Sequence, residues 1–394
     1  MKIIRIIVDG LPLYKDSVEI SFLASQRIEK KHMESIINLY GNIYVNAAEA
    51  FVGINASGKS IALKLISFVN KLLEALPLNS EKTYLNAELI PNLIDSDQPI
   101  TFDIVFFADN KYYRLNTQIV NKFPDEIDKH RKLVITSEAL WEKKATKNIN
   151  KANLFNFDGL KPIRIRSQSS EYLPDDVSIM IALNKQLKDK MTFIDLGLFT
   201  NFNIYFPKSS LVPTEIIELL DPTIESISIE KRQKIIKLKF KHKNEIILYD
   251  PAELYAYLSS GTIKGLMVFD EAVTILRTGG YLVIDEIENH FNRELVAELI
   301  KLFMDKRTNT KGAVIIFSTH YPELLDLIER NDSIFITKNN GSLSIQNLNS
   351  LLKRNDLKKS EVFQSNYLGG TAPKYSSIFA FHNSIVKSQE DDKS

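Results

Sequence analysis

Apolar residues along this chain switch between two periods, and the switches mark out its elements. A short apolar run ends at Phe51 and Val52; past an interruption at 53–60, Ile61, Leu65, Val69, Leu72 and Leu76 recur at helical spacing until Pro77 stops them. A strand, a loop and a helix are predicted in that order. Upstream, residues 2–8 and 17–23 read as two strands around the turn Gly10-Leu11-Pro12, a hairpin-like start that can lie beside the loop. Downstream, 100–107, 111–120 and 132–137 give three more strand-like runs, with Ala108-Asp109-Asn110 turning between the first two. Residues 143–170 are rich in Lys, Asn and Ser with scattered aromatics, the pattern of a variable, partly exposed connection.

Between 171 and 250 helix-like and strand-like pieces alternate, and 211–220 is the clearest helix. In the run 231–243, Ile236, Leu238 and Phe240 alternate with Lys237, Lys239 and Lys241, which predicts a half-buried strand with a lysine face. Such a face protects an edge strand against pairing, or contacts a phosphate backbone. From Ile263 through Leu266, Met267, Val273 and Leu276 the helical period returns, then 281–286 reads as an apolar strand, 292–304 as a helix and 313–317 as a buried strand. Residues 333–337 and 342–345 make a hairpin across 338–341, and the tail beyond about 386 reads as disordered. No internal repeat and no sustained heptad pattern is present. The chain divides into an N-terminal lobe (1–145), an insertion (146–250), a second half of the same core (251–345) and a C-terminal helical extension with its tail (346–394).

Composition narrows the classes of function. At 394 residues the chain exceeds the usual size of one simple core, and 44% hydrophobic residues can fill a large one. Fifty Lys and Arg balance 49 Asp and Glu to a net charge of +1, which argues against wholesale charge-driven binding to nucleic acid or membrane. The absence of cysteine excludes disulfides, thiolate metal sites and cysteine nucleophiles. The apolar run at 3–8 is broken by Arg5 and ended by Asp9, too short for a signal peptide, and no apolar run approaches a membrane span. The expectation is a soluble, intracellular protein.

The interruption at 53–60 carries the chemistry. It reads Gly53-Ile54-Asn55-Ala56-Ser57-Gly58-Lys59-Ser60, two glycines spaced as in a phosphate loop and followed by Lys and Ser. Between a strand and a helix, the backbone N–H groups of Asn55, Ala56, Ser57, Gly58 and Lys59 can wrap phosphates at the positive end of the helix dipole. Lys59 would reach the β- and γ-phosphates and Ser60 would hold Mg²⁺. The strand 281–286 delivers Asp285, a Mg²⁺ ligand through water, and Glu286, which can orient or deprotonate an attacking water. His320 ends the next strand in sequence, where a γ-phosphate contact is needed. Ser259 and Gly261 head the helix after Leu258 and form a second phosphate receptor.

These four motifs, in this order, resemble the ATPase head shared by ABC, SMC, RecF and OLD-type proteins. The resemblance runs from the N-terminal strand pair to about residue 345 and implies an α/β fold: a P-loop ABC-type ATPase head, a mixed central sheet flanked by helices, with an inserted α+β lobe. In that family residues 258–262 correspond to the signature, Asp285 and Glu286 to the Walker B pair, 287–292 to the loop at the dimer seam, and His320 to the switch histidine. Two heads then sandwich two ATP molecules, each held by one subunit's loop and the other's signature, giving a homodimer or higher oligomer. The chain departs from the commonest pattern in having Ser260 and Thr262 where Gly and Gln are usual, and in a roughly 200-residue separation of loop and signature. Gln118 and Glu138 are candidates for the glutamine loop.

Within that family, the wording Ile284-Asp-Glu-Ile-Glu-Asn-His290, Ser318-Thr-His-Tyr-Pro-Glu-Leu-Leu-Asp326 and Tyr367-Leu-Gly-Gly-Thr-Ala-Pro373 is similar to the stand-alone AAA-type ATPases of bacterial abortive-infection and anti-phage operons. Those act with a separately encoded toxic effector, often a nuclease. OLD proteins fuse a nuclease after the head; the roughly 50 residues after the hairpin here are too few for one. The implied protein is a cytoplasmic ATPase that uses ATP and Mg²⁺, without membrane contact, and controls an operon-encoded effector. The second reading is a RecF- or SMC-like DNA-clamping ATPase of repair. A transporter subunit is disfavoured by the long insertion.

Overall fold

The computed structural model describes the chain except residues 81–97, 123–131, 167–172, 198–210, 231–234, 290–291, 353–356, 372–374 and 392–394. Its strands are β1 (Lys2–Asp9), β2 (Val18–Ser21), β3 (Ile36–Tyr40), β4 (Ile43–Asn46), β5 (Ala48–Val52), β6 (Ile100–Ala108), β7 (Lys111–Lys122), β8 (Lys132–Lys144), β9 (Arg164–Ile165), β10 (Phe193–Asp195), β11 (Ile224–Glu230), β12 (Ile235–Phe240), β13 (Ile246–Leu248), β14 (Tyr281–Ile284), β15 (Val314–Thr319), β16 (Ile334–Asn339) and β17 (Leu343–Asn347). They form a central sheet ordered β10-β14-β15-β5-β16-β17, an antiparallel sheet ordered β2-β1-β6-β7-β8-β9, and smaller sheets β11-β12-β13 and β3-β4.

The central sheet is parallel except for its last pair, β16 with β17. Its inner strands are buried along their whole length, which is why they read as continuous apolar runs instead of alternating ones. Alternation reappears in what each side chain touches. Phe51, Tyr281, Val283, Ile316 and Phe335 face one core, with the helix Lys59–Glu74 and the antiparallel sheet. Val52, Leu282, Ile284, Ile315, Phe317 and Ile336 face the other, with the helices Ser260–Thr278 and Arg293–Met304. A single-residue slip would exchange the two sets, so register is fixed from both sides. This is the mixed sheet flanked by helices that the sequence leads one to expect, with an antiparallel sheet forming a further layer.

The segment 146–250 is distributed over this frame. Lys143 donates to the carbonyls of Asn153 and Asn156 at 3.0 and 2.9 Å, Lys151 reaches Ser25 O and Gln26 O, and Leu154 and Phe157 are buried. The lysine- and asparagine-rich connection is thus tied to the N-terminal sheet. β9 then extends the antiparallel sheet beside β8, and β10 adds an edge to the central sheet beside β14. A small α+β unit remains: the helix Thr214–Leu220 and the meander β11-β12-β13, resting on the helix Ser260–Thr278 through Leu220 and Gly265. The predicted helix begins three residues late because Pro213 sets its start.

Lys237 and Lys239 on β12, and Lys241 just past its end, lie 2.5, 2.7 and 3.8 Å from Glu230, Glu225 and Glu218. The lysine face is therefore matched by acids across the strand and on the neighbouring helix; residues 231–234 of that run lie outside the described set. The C-terminal helix Tyr375–Asp391 continues past residue 386, where the polar sequence suggested disorder, since no helix breaker intervenes. Among the described residues no helix is long and apolar enough to cross a membrane.

Candidate functional site

The site lies at the C-terminal ends of β5, β14 and β15, which are adjacent and parallel in the central sheet. In such sheets ligands bind outside the carboxyl ends of the strands. β5 ends at Val52 and the helix starts at Lys59. The chain turns between them through Ala56 and Gly58, at φ of 59° and 99°. Gly58 occupies the left-handed region that side chains avoid. At Gly53 the constraint is space: a Cβ would come within 2.2 Å of Ser57 Oγ and 2.3 Å of Thr337 Oγ1. Gly53→Ala should therefore push the loop off β16 and cost about 1–3 kcal/mol, read as a lowered Tm together with weakened nucleotide binding.

Lys59 folds back over this turn. Its Nζ donates to Gly53 O at 3.1 Å and Ile54 O at 3.2 Å, and lies 3.3 Å from His320 Nδ1. Only 6% of Lys59 is exposed. Burial pulls its pKa down, while Asp285, Glu286 and Glu288 hold it up. Ser57 N–H closes the turn onto Ile54 O at 3.2 Å. Asn55 and Ala56 are exposed at the tip, and Ser60 stands in the helix's first turn.

The carboxylates are joined to β15 by one hydroxyl. Ser318 Oγ donates to Asp285 Oδ1 and accepts the Glu286 N–H at 2.7 Å. Glu286 adopts φ of 49°, uncommon for a residue with a Cβ, and this bend swings its side chain toward β15. There Glu286 Oε1 lies 3.5 Å from His320 Nε2, and Asn289 Nδ2 donates to Glu286 Oε2 at 2.6 Å. The Glu286 side chain keeps 39% of its surface exposed, so water reaches it. His320 thus bridges Lys59 and Glu286 through its two ring nitrogens, and the His320 N–H donates to Glu288 Oε1. Of the predicted seam loop, His290 and Phe291 lie outside the described residues.

The structure brings Lys59, Asp285, Glu286 and His320 together and ties Ser259 to its own helix. Ser259 Oγ accepts from Thr262 N at 3.0 Å and lies 2.8 Å from Thr262 Oγ1, so it caps its own helix; its hydrogen bonds do not reach 53–60. Gly261 follows in the first turn. Gln118 and Glu138 sit on the antiparallel sheet. Gln118 accepts from Ser137, and the buried Glu138 accepts from Thr117, Ser178 and the Ile179 N–H. Both serve that sheet and the 178–180 turn, which offers no support for a glutamine-loop role.

Several neighbours of the site escaped the sequence reading. Asp195, ending β10, is held by Ser67 Oγ and by Gly197 N–H at 2.8 Å, and Gly197 backs onto the Asp285 Cβ. Lys64, whose pKa burial lowers, feels both Asp285 and Asp195, and Lys264 of the helix behind Ser259 feels Glu286. Thr337 Oγ1 lies 2.7 Å from Ser57 Oγ, and Asn339 Nδ2 donates to Ala56 O at 3.1 Å. Glu288 alone carried a signal, as a second acid two positions past Glu286.

For a divalent cation the donor set is a hydroxyl, Ser60, and a carboxylate, Asp285. All-oxygen donors suit Mg²⁺, which is usually held by one or two carboxylates with phosphate and water completing the shell. Among the described residues there is no cluster of three or more His, Cys, Asp or Glu that could form a self-sufficient metal cage. The residues fit a cation that arrives with phosphate.

Residues 50–326 match the protein family described as "AAA domain, putative AbiEii toxin, Type IV TA system". The chain belongs to that family. It is thereby an AAA-type ATPase domain protein related to abortive-infection systems, and the matched span holds the 53–60 loop, both carboxylates and His320. No curated protein matches the chain.

Proposed function

We propose that this AAA-domain protein binds ATP with Mg²⁺ and hydrolyses it, and that nucleotide-driven pairing of two heads controls a separately encoded toxic effector, a nuclease, in bacterial anti-phage defence. The observation that carries the hydrolytic part is the chain of contacts from Lys59 Nζ through His320 to Glu286, built from three neighbouring strand ends. Lys59 receives the β- and γ-phosphates, exchanging its backbone carbonyls for stronger anionic partners. Glu286, exposed and aimed by Asn289, orients or deprotonates the attacking water. His320 sits where it can contact the γ-phosphate and feel Glu286 at once. Ser60 and Asp285 would hold Mg²⁺, which supplies charge neutralisation between the phosphates.

In this reading Ser259 and Gly261, which head a 19-residue helix capped by the Ser259 hydroxyl on Thr262 N–H, meet the phosphates bound by the other head's loop. The alternative, a DNA-clamping ATPase, draws less support, because its lysine face on β12 is matched by glutamates. The defence role is tested in cells. Expressed alone, the chain should be harmless and should not protect against phage; with its operon partner it should protect, and Lys59→Ala should remove protection. Protection by this chain alone would sink the two-component reading, and tight duplex binding with a steep salt slope would move the assignment to the clamp.

A further inference from the structure

Two sequence stretches remain without a role: the turn after His320 and the Gly-Gly loop near the C-terminus. In the structure one segment, 359–371, contains the second and touches the first. At one end the helix Lys359–Gln364 packs on the 3₁₀ turn Pro322–Leu327, which begins two residues after His320. Ser360 Oγ donates to Asp326 Oδ2 at 2.6 Å, the Ser360 N–H donates to Asp326 Oδ1 at 3.1 Å, and Gln364 Nε2 donates to Glu323 Oε1 at 2.8 Å. At the other end the chain doubles back through Gly369 and Gly370, at φ of 69° and 75°, with the buried Thr371 donating to Phe363 O at 2.7 Å. There Leu368 O accepts from Lys338 Nζ, and a Cβ on Gly370 would sit 3.4 Å from Asn340 Oδ1.

Lys338 is one of three consecutive residues with different duties. Thr337 and Asn339 lie on the face of β16 toward the phosphate loop. Thr337 Oγ1 donates to Val52 O at 3.3 Å, so the hydrogen between it and Ser57 comes from Ser57, while Asn339 holds Ala56 O. Lys338 points the opposite way, as strand alternation requires, and is only 8% exposed. The strand end is a thin wall with the phosphate loop on one side and the C-terminal segment on the other.

We propose that segment 359–371 positions both halves of the nucleotide site, the phosphate loop through Lys338 and the switch histidine through Asp326, and so makes nucleotide occupancy and the conformation of the C-terminal segment sense one another. Coupling of this kind is reciprocal: whatever nucleotide does to the segment, the segment does to nucleotide affinity. The inference rests on the ATPase reading above and names the regulation of that same site. The segment leads into the helix Tyr375–Asp391, whose exposed Phe379, Phe381 and Ile385 would carry the signal outward.

The test uses the full chain, with ATP and ADP as probes, and two variants that spare Lys59, Asp285, Glu286 and His320. Lys338→Met keeps the buried stem and removes the ammonium; it should raise the KM for ATP and the Kd for ADP about tenfold with kcat little changed. Asp326→Asn keeps the shape and weakens the hold on Ser360; it should lower kcat about tenfold with KM little changed. A merely structural role would scale the active fraction, lowering kcat in both and moving KM in neither. Hydrogen exchange adds a readout needing no variant: ADP should slow exchange of the Gly369 and Thr371 amides several-fold in the unaltered chain, and not in Lys338→Met. Amides indifferent to ADP, or variants without this split, would overturn the proposal. Turnover of the unaltered chain no higher than that of Lys59→Ala would instead overturn the ATPase reading beneath it.

Discussion

Glu286→Gln is expected to bind ATP about as tightly as the unaltered chain and to hydrolyse it about 10² to 10⁴ times more slowly, the usual worth of a positioned general base. The geometry separates the two effects. In the proposed mechanism nucleotide binding draws on the loop at 53–60 and on Lys59, whose Nζ hydrogen-bonds to Gly53 O and Ile54 O and not to Glu286. Hydrolysis, in the same mechanism, would draw on a carboxylate that is open to water, held by Asn289 and 3.5 Å from the His320 ring. Glutamine keeps the size, the acceptor oxygen and the tolerance of φ near 49°, so the fold has little reason to respond. Lys59→Ala should differ in kind, losing binding itself, because the loop at 53–60 would lose its only cationic side chain for the β- and γ-phosphates. A fluorescent-nucleotide titration beside a phosphate-release assay separates the two variants. Near-normal turnover in Glu286→Gln would transfer the base's role elsewhere, and the buried Glu288 beside the His320 N–H is the first place to look.

What the sequence revealed, and what it hid, follows from how far apart the partners are. The loop at 53–60, the strand ending in Asp285 and Glu286, and the strand before His320 each announce themselves locally. Each is a run of one period broken by residues of a definite chemistry, and the structure has strands or helices where those runs are. Their convergence was inferable because parallel strands present their carboxyl ends on one edge. Non-local pairings leave no such trace. β10 joins the central sheet beside β14 although 85 residues separate Asp195 from Gly280, and its three residues carry no period. Asp195 was therefore invisible as a neighbour of Asp285. Thr337 was hidden for a different reason: a lone threonine in a buried strand usually bonds its own backbone, and only the contact with Ser57 shows that it braces the phosphate loop.

The cores tell the same story from the other side. Leu282 and Val283 are equally apolar and equally buried, so composition cannot assign them to different layers; the pleat does, sending one toward the helices and the other toward the antiparallel sheet. A frame buried on both faces leaves its strand ends as the place where polar chemistry meets solvent. At the opposite end of the sheet from Lys59, Arg330 pairs with Asp332 Oδ1 at 3.0 Å and Asn46 Oδ1 at 3.2 Å, and burial pushes the nearby Glu49 carboxyl well up. That cluster is almost fully closed, whereas Glu286 remains open. The contrast identifies which polar end is built for a visitor.

A mixture of two dead variants should recover activity if the site is shared between subunits. Lys59→Ala disables the loop and Gly261→Asp puts a like charge where the helix N-terminus would meet phosphate, so neither should hydrolyse ATP alone. In a dimer of one of each, a signature acting in trans leaves one site with both lesions and the other with none. Random equal mixing makes about half the dimers mixed, each with one good site of two, and about a quarter of the unaltered activity should return. A signature acting in cis leaves a lesion in every site and returns nothing. We expect the first outcome, because the hydrogen bonds of Ser259 stay within its own cap while Lys59, Glu286 and His320 are gathered without it. Both chains should be co-expressed with different tags and their association checked. Tagged dimers that form, bind ATP normally at the intact loop and still fail to hydrolyse it would count against a shared site. In that case Ser259 would be a helix cap and nothing more.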